Sequence, residues 1–311
     1  MSPDVGTLSR PSEQRPRFLR LVGSTQSSSL GEKQATEKYP CRLTGLKNDR
    51  HALLVAFSRR ITYRVTGVEV RCRTLQGEAK VLMTLQGMLR KMRAYFNPRN
   101  IAGMARYGIK VEKAFGVPAP ALRKMAREIR GDHALAERLW ATGIHDAKHL
   151  AALSDDPRQV TEAQMERWAR DFDSWDVVDG CCNNLFRKTP FAYHKAVEWT
   201  SRKEEYIKRA GFVLMACLAV HDKAVKDAVF VRYLRLLKKG ATDERNFVKK
   251  AVNWALRQIG KRNLRLRGAA IKTGKEIQRL DSRAARWIAA DALRELTSEK
   301  TVAMIRARTK K

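Results

Sequence analysis

The helical hydrophobic period that runs from about Val81 to the end of the chain is the feature that most limits the possible folds. Apolar residues recur there at intervals of three and four, strand-like alternation is nearly absent, and connections are about two to six residues long. Short connections between amphipathic helices make successive helices antiparallel neighbours. The sequence therefore predicts an all-α domain over residues 81–311.

Capping and turn residues mark the predicted helix ends. Thr161 and Gln164 form a capping-box pattern, and Ser174 is a candidate N-cap. Asn97-Pro98 is expected to close the first helix, with a short helix following through Met104–Gly108. The predicted spans are 81–95, 104–108, 116–129, 134–142, 145–154, 161–170, 174–186, 190–200, 203–220, 224–239, 243–259, 263–279 and 282–296, with a short helix after them.

The later helices repeat in pairs of about 40 residues, which is the length of helix-pair repeats that stack into a solenoid. A closed bundle of helices is the alternative, but short links between successive amphipathic pairs fit a stack better. We therefore predict a curved α-superhelix whose concave face suits a rod-like polyanion.

Residues 1–80 differ from the rest of the chain. The first forty are rich in Ser, Pro, Gln, Arg and Gly without a period, and are predicted to be disordered. Three segments further on favour strands, Leu53–Phe57, Ile61–Val65 and Val68–Val70. Acidic residues argue against a transit peptide, and a start assigned too far upstream would give the same composition. We place the functional domain at 81–311.

The charge balance points to a polyanionic partner. The chain has 63 Lys and Arg against 32 Asp and Glu, a formal net charge of +31. Nucleic acid is the commonest polyanion, and an anionic membrane is the competitor. No apolar run approaches the roughly 18 residues of a membrane span, and no lipidation motif is present. We expect a nucleic-acid partner and no membrane.

The five cysteines have no zinc-type spacing, and in our interpretation the six histidines form no HxxxH or HxH pair that would support a metal site. Cys181, Cys182 and Cys217 are typical of buried free thiols in a reducing cytoplasm. We therefore predict a cytoplasmic protein, nucleoid-associated if bacterial, with no metal and no other cofactor.

An acidic segment stands out in this basic chain, with four aspartates between Asp171 and Asp179 around Trp175. If Ser174 caps a helix, Trp175 and Asp179 are four residues apart and share one face. An aromatic plane beside a carboxylate suits a cationic, ring-shaped ligand. The alternative is that the acids only decorate a helix start and favour the positive end of its dipole. We keep that helix-cap interpretation for Asp171, Asp173 and Asp176, with Ser174 as the cap, and not for Asp179.

A basic cluster follows between Glu244 and Lys272, with nine Lys and Arg and one acid. Within it, Lys250, Trp254 and Arg257 share one helical face, as nucleic-acid-binding surfaces often do. Trp254 could equally pack into the neighbouring repeat. The candidate phosphate-binding cations are Lys249, Lys250, Arg257, Lys261 and Arg262.

Arg209 precedes a long apolar run and is expected to be partly desolvated, so that it needs an anionic partner. Asp179 is one candidate, and a phosphate is another. A structural salt bridge between repeats and a ligand contact both remain open on spacing alone.

From about residue 81 to 297 the chain resembles the AlkD-like DNA alkylation repair family, which comprises DNA glycosylases built from HEAT-like helical repeats. The matching motifs are Met104–Ile109, Phe115–Pro118, Leu139–Gly143, Trp168 with Asp171–Asp179, Lys208–Ala210, Asp243–Arg257 and Asp291–Leu296.

The resemblance implies excision of cationic alkylated purines, such as 3-methyladenine and 7-methylguanine, from double-stranded DNA by a monomer. It places the catalytic aspartate at Asp179 and its aromatic neighbour at Trp175. It places the cleft arginine, which would hold the phosphate near the lesion, at Arg209. It also assigns Trp254 and Tyr107 to the DNA-binding cleft. A non-catalytic helical-repeat protein that binds damaged, bent or branched DNA is the alternative; a protein scaffold is less favoured, because scaffolds rarely need so large a cationic excess.

Overall fold

The computed structural model of the protein describes residues 61–65, 68–72 and 84–309. Contacts divide the chain into two units, Met1–Val81 and Leu82–Lys311. In the first unit, strand β1 (Ile61–Val65) pairs antiparallel with β2 (Val68–Cys72). These strands coincide with two of the three segments predicted to favour strands. The segment 53–57 and the predicted disorder of the first forty residues lie outside the described part.

The second unit is helical throughout its described length, which confirms the predicted all-α class. Helices are separated by short connections, and two short 3-10 turns flank α8. The helices are α1 (Leu85–Arg93), α2 (Pro98–Arg106), α3 (Ala119–Glu128), α4 (His133–Ala141), α5 (His145–Ser154), α6 (Glu162–Arg170), α7 (Trp175–Asn184), α8 (Ala192–Glu198), α9 (Glu205–His221), α10 (Asp227–Gly240), α11 (Asn246–Gly260), α12 (Leu264–Gln278), α13 (Arg283–Thr297) and α14 (Glu299–Thr309).

The predicted boundary at α2 was wrong. Asn97 does not end the preceding helix; it is the N-cap of α2, and its side chain accepts a hydrogen bond from the Asn100 amide at 3.1 Å. Pro98 is the first helical residue, a position where its missing N–H costs nothing. The helix ends at Arg106, before Gly108, whose φ of 71° is left-handed.

Two layers of helices form the stack. The odd-numbered helices from α3 to α13 pack successively on one another, and each of α4, α8, α10 and α12 packs against the odd-numbered helix that follows it. The longest helix, α9, lies between α7 and α11 and is buried almost all round. Its continuous apolar sequence from Gly211 to Ala219 follows from this central position. The arrangement confirms the predicted helical-repeat stack.

Side-chain contacts link neighbouring repeats at sequence separations of roughly 28 to 38 residues. In the even-numbered layer, Trp140 stacks on Trp168 with ring centroids 4.0 Å apart, and Lys238 pairs with Glu276 at 2.9 Å. In the odd-numbered layer, buried Asn253 donates to the Ile288 carbonyl at 3.2 Å. Such contacts fix the register between neighbouring repeats.

Within the described part of the chain, the three cysteines predicted to be buried free thiols are so. Cys181, Cys182 and Cys217 are buried and unpaired. No helix among the described residues combines the length and apolar composition that a membrane crossing requires.

Candidate active site

Two side chains at equivalent positions of neighbouring helices form the centre of the site. Asp179 lies in the second turn of α7 and Arg209 in the second turn of α9. Arg209 Nε donates to Asp179 Oδ1 at 3.0 Å, and Nη2 donates to Oδ2 at 2.9 Å. The pair is therefore bidentate, which is the geometry that best combines strength and fixed orientation. Of the partners that the sequence left open for Arg209, Asp179 is the one that it contacts.

Arg209 is buried, with 5% of its surface exposed. Its Nη1 donates to the Phe247 carbonyl of α11 at 2.6 Å, so the guanidinium connects three successive odd-numbered helices. A guanidinium removed from water in this way needs all of these acceptors. Arg209 thus holds the Asp179 carboxylate in place, and most of its donors are engaged within the protein.

Burial raises the pKa of the Asp179 carboxyl above its ordinary value, although the charge and hydrogen bonds of Arg209 oppose the shift. The Asp179 side chain keeps 24% of its surface exposed, whereas that of Arg209 keeps 6%. Because the two hydrogen bonds from Arg209 use only part of the carboxylate's acceptor capacity, Asp179 can accept another hydrogen bond from the solvent side.

Trp175 shares the Asp179 face of α7, as the spacing predicted. The Arg209 guanidinium carbon lies 5.9 Å from the Trp175 ring centroid. The indole Nε1 donates to the Tyr107 carbonyl at 3.0 Å, which fixes the ring from the other end. Trp175 is partly exposed, so an aromatic surface remains beside the carboxylate.

The segment after α2 reaches across to the site. Tyr107 is 73% exposed, and its carbonyl is the group that anchors Trp175. Gly108 lies so close to α11 that an added Cβ would be 3.3 Å from the Phe247 ring. Its positive φ and this close approach both favour glycine. The two residues therefore lie against both α7 and α11.

A cavity of about 580 Å³ opens next to Trp175 and is lined by α2 and the loop before α3. Its walls include Tyr107 and two exposed arginines, Arg99 and Arg106. These arginines were not among the predicted DNA contacts. Their position near the start of the domain gave no sign that α2 and Trp175 would line one cavity.

Helix α11 carries the predicted Trp254 and three of the predicted cations, Lys249, Lys250 and Arg257. Trp254 is partly buried and packs against the core, and Lys250 is exposed. The Lys249 ammonium lies 5.7 Å from the Trp287 ring centroid. Since α11 packs on α9, these residues share the odd-numbered layer with Asp179.

The remaining predicted cations have partners inside the protein. Arg257 donates to Glu295 at 2.6 Å, and Lys261 pairs with the same carboxylate at 2.7 Å.

Arg262 is directed at carbonyl oxygens beyond the end of α9, including that of Val225 at 3.0 Å, and its side chain is 7% exposed. Its contact at Ala219 lies ten residues, about 15 Å, along α9 from Arg209, so the structure separates Arg262 from the site.

The other acids of the Asp171–Asp179 segment do not act mainly as helix caps, so that prediction needs correction. Asp171 accepts from the Trp140 indole at 2.8 Å, and Asp173 pairs with Lys148 at 3.1 Å. Ser174 occupies the N-cap position of α7 without a side-chain cap, and its hydroxyl donates to Asp176 at 2.6 Å. Partners from the preceding repeat explain these acids better than the helix dipole does.

Asp176 also accepts from two histidines, His145 Nε2 at 2.8 Å and His149 Nε2 at 3.1 Å. Burial alone would raise the pKa of Asp176, but these hydrogen bonds and charges hold it well below its ordinary value. The prediction of no metal site overlooked this pair: His145 and His149 are four residues apart, the spacing that puts two imidazoles on one helical face.

Known proteins resemble this chain in sequence pattern and fold. The model of a family described as DNA alkylation repair enzyme matches residues 88–296. A solved structure described as a new family of proteins related to the HEAT-like repeat DNA glycosylases with affinity for branched DNA structures is 22% identical. It has a TM-score of 0.59 and covers 68% of this chain and 95% of its own.

A designed armadillo repeat protein is 16% identical, with a TM-score of 0.28, and the match covers 57% of this chain and 92% of the designed one. No curated protein sequence matches the chain. The first solved structure therefore shows the HEAT-like fold of the helical unit.

Proposed function

Because this chain belongs to the DNA alkylation repair enzyme family, we propose that it is a DNA glycosylase that hydrolyses the N-glycosidic bond of cationic alkylated purines in double-stranded DNA. Lesions such as 3-methyladenine and 7-methylguanine fit this class. The observation that carries the proposal is the Asp179 carboxylate, held bidentately by Arg209 beside the partly exposed face of Trp175.

Departure of the alkylated base needs little acid catalysis from the protein. An N-alkylated purine already carries a positive charge, so it departs as a neutral base when the bond from its ring nitrogen to the sugar C1′ breaks. The sugar develops oxocarbenium character, and water then forms the new bond at C1′. A fixed carboxylate stabilises that positive charge, and its raised pKa makes Asp179 a better acceptor for the proton that the water releases.

Trp175 and Arg209 have different tasks in this proposal. The indole face attracts the cationic lesion or sugar by cation–π interaction. Arg209 is a positioning residue, because its buried guanidinium fixes both oxygens of Asp179 and is anchored to α11 through the Phe247 carbonyl. This role differs from the phosphate contact that the resemblance implied for a cleft arginine.

DNA contacts are assigned to the odd-numbered layer and to α2. Lys250 is exposed, Lys249 and Trp254 lie on the same helix, and Arg99 and Arg106 line the cavity beside Trp175. These cations lie on α11, which packs on α9, and in the cavity beside Trp175, and they suit contacts to a phosphate backbone. Arg262 is left out because its guanidinium is buried against carbonyl groups.

A second function is favoured by one specific observation. The solved structure that matches at a TM-score of 0.59 is described as having affinity for branched DNA. Binding of branched DNA without catalysis would use the same cations. It would leave the Asp179–Arg209 pair as a structural bridge between repeats.

A two-part experiment separates these functions. Base release is measured from methylated duplex DNA by chromatography, and binding is measured for a four-way junction and a linear duplex of equal length. Release of methylated purines by the wild-type protein supports the glycosylase. No release, together with tighter binding of the junction, would replace it with the second function.

A further inference from the structure

Two helices bring three potential metal-binding side chains close together: His145, His149 and Asp176. The histidines lie on α5 and Asp176 in the first turn of α7. Their Nε2 atoms lie 2.8 and 3.1 Å from Asp176 Oδ2, and all three ligand atoms are within 4.8 Å of one another. Two imidazoles and one carboxylate are ligands that divalent transition metals prefer.

The distances suit a tetrahedral ion. Zinc binds nitrogen and oxygen ligands at about 2.0–2.2 Å, which separates neighbouring ligand atoms by about 3.3–3.5 Å. The two Nε2–Oδ2 distances, 2.8 and 3.1 Å, are only a few tenths of an ångström shorter. Small side-chain rotations would open the group enough for an ion. Three protein ligands also leave a fourth position for water or another ligand.

Neighbouring groups hold the ligands in this orientation. The Ser174 hydroxyl donates to Asp176 Oδ1 at 2.6 Å, which leaves Oδ2 directed to the histidines. A Cβ added at Gly180 would lie 2.9 Å from His149 Nδ1, so glycine provides the space for that ring against α7. His145 is 8% exposed, while the His149 side chain is 21% exposed and gives access from solvent.

A second group with similar composition lacks room for an ion. Glu162, His194 and Glu198 also bring their ligand atoms together. The Lys195 ammonium, however, bonds to the Glu162 carboxylate at 2.8 Å and to the Glu198 carboxylate at 2.6 Å. A cation therefore already occupies that position, whereas no ammonium or guanidinium is bonded to Asp176 among the described contacts.

We propose that His145, His149 and Asp176 bind a divalent transition-metal ion of the zinc type, with an open fourth coordination position. The site adjoins the candidate active site, because Asp176 and Asp179 are three residues apart on α7 and so are neighbours on its surface. Binding of the metal does not depend on the proposed glycosylase activity.

Cobalt and zinc titrations of the full chain test this site. Co²⁺ is expected to bind one site on the described helical unit with the strong visible absorption of tetrahedral coordination, and Zn²⁺ is expected to displace it. His149→Ala and Asp176→Asn should each weaken Zn²⁺ binding by about a hundredfold or more, since even outer-shell changes cost about 10–100-fold. His194→Ala is the matched control and should bind as the wild type does.

The same samples provide the check on folding. Circular dichroism and thermal unfolding identify any variant that fails to fold, in which case His149→Gln takes its place. Zn²⁺ should raise the Tm of the wild type and of the His194→Ala variant, but not that of the ligand variants. Absence of saturable binding, or equal affinity in the wild type and both ligand variants, would overturn the proposal.

Discussion

Two buried ion pairs link neighbouring repeats, one in each helix layer, and they differ in their effect on the carboxylate. In the odd-numbered layer, Asp179 pairs with Arg209 at 2.9 Å. In the even-numbered layer, Lys195 bonds to Glu166 at 2.8 Å and also to Glu162 and Glu198. Both cations are largely buried, with 6% and 4% of their side-chain surfaces exposed.

The pKa of the paired carboxyl group is shifted in opposite directions in the two layers. Burial by itself raises the pKa of Glu166, but Lys195, Trp199 and Arg202 more than compensate and leave it below its ordinary value. For Asp179 the effect of burial prevails over that of Arg209, and the pKa is raised. Glu166 is therefore a stabilised anion with a structural role, whereas Asp179 retains proton affinity beside a partly exposed tryptophan. Chemistry is therefore expected only at the Asp179–Arg209 pair.

The largest expected effect is on folding stability and base release together. Arg209→Met and Lys195→Met each remove a largely buried cation from partly exposed carboxylates, so each is expected to lower the free energy of unfolding by about 1–3 kcal/mol. Urea unfolding measures this, with Lys124→Met on an exposed face of α3 as the control. Base release should be lost only in Arg209→Met. Equal loss in Lys195→Met would remove the functional distinction between the layers.

The next effect concerns the rate of base release. Asp179→Asn removes the negative charge but keeps one acceptor for Arg209, so the fold should largely persist while release of 7-methylguanine falls by about 100–1000-fold. Single-turnover assays on methylated DNA measure the rate. Asp173→Asn is the matched control in the same acidic segment, since Asp173 pairs with Lys148 at 3.1 Å outside the Trp175 face. An unchanged rate in Asp179→Asn would refute the catalytic assignment.

A smaller effect is expected in the pH dependence of stability. Because its pKa is lowered in the folded state, Glu166 contributes stability at pH values above its ordinary pKa of 4.5. This stability is lost as the pH falls through the lowered pKa. Asp179 has the opposite sign: its contribution is present at low pH and is lost as pH rises from the ordinary 3.8 through the raised pKa.

Unfolding free energies measured over the acidic range test these signs. Glu166→Gln should make stability fall less steeply with acidification, and Asp179→Asn should make it fall more steeply. Slopes that change in the same direction in both variants would contradict the comparison.

The smallest expected effect is on DNA affinity. Lys250 is exposed, and Lys250→Ala should lower the slope of log affinity against log salt by about 0.9 if it contacts one phosphate. Arg262→Ala should leave the salt slope unchanged, because the Arg262 guanidinium is buried against carbonyl groups, and should instead reduce stability. Fluorescence anisotropy across a salt series distinguishes them, and a larger slope change in Arg262→Ala would reverse the assignment.

The helical period was sufficient to predict most helices because it reflects burial along each segment. It also placed Trp175 and Asp179 on one face, and the apolar run after Arg209 indicated a desolvated guanidinium. The start of α2 was missed because Asn97-Pro98 is compatible with either a helix end or a helix start. The His145–His149 spacing was visible in the sequence, but its carboxylate partner Asp176 follows 27 residues after His149.

The sequence by itself determined the all-α repeat class, the family resemblance and the basic character, because each depends on local period, short motifs or composition. Tertiary structure decided that Arg209 holds Asp179 at a separation of 30 residues, and that Arg262 is withdrawn from the site. The physical reason is that hydrophobic period defines which face of a helix is buried, whereas the stacking of repeats decides which distant side chains meet there.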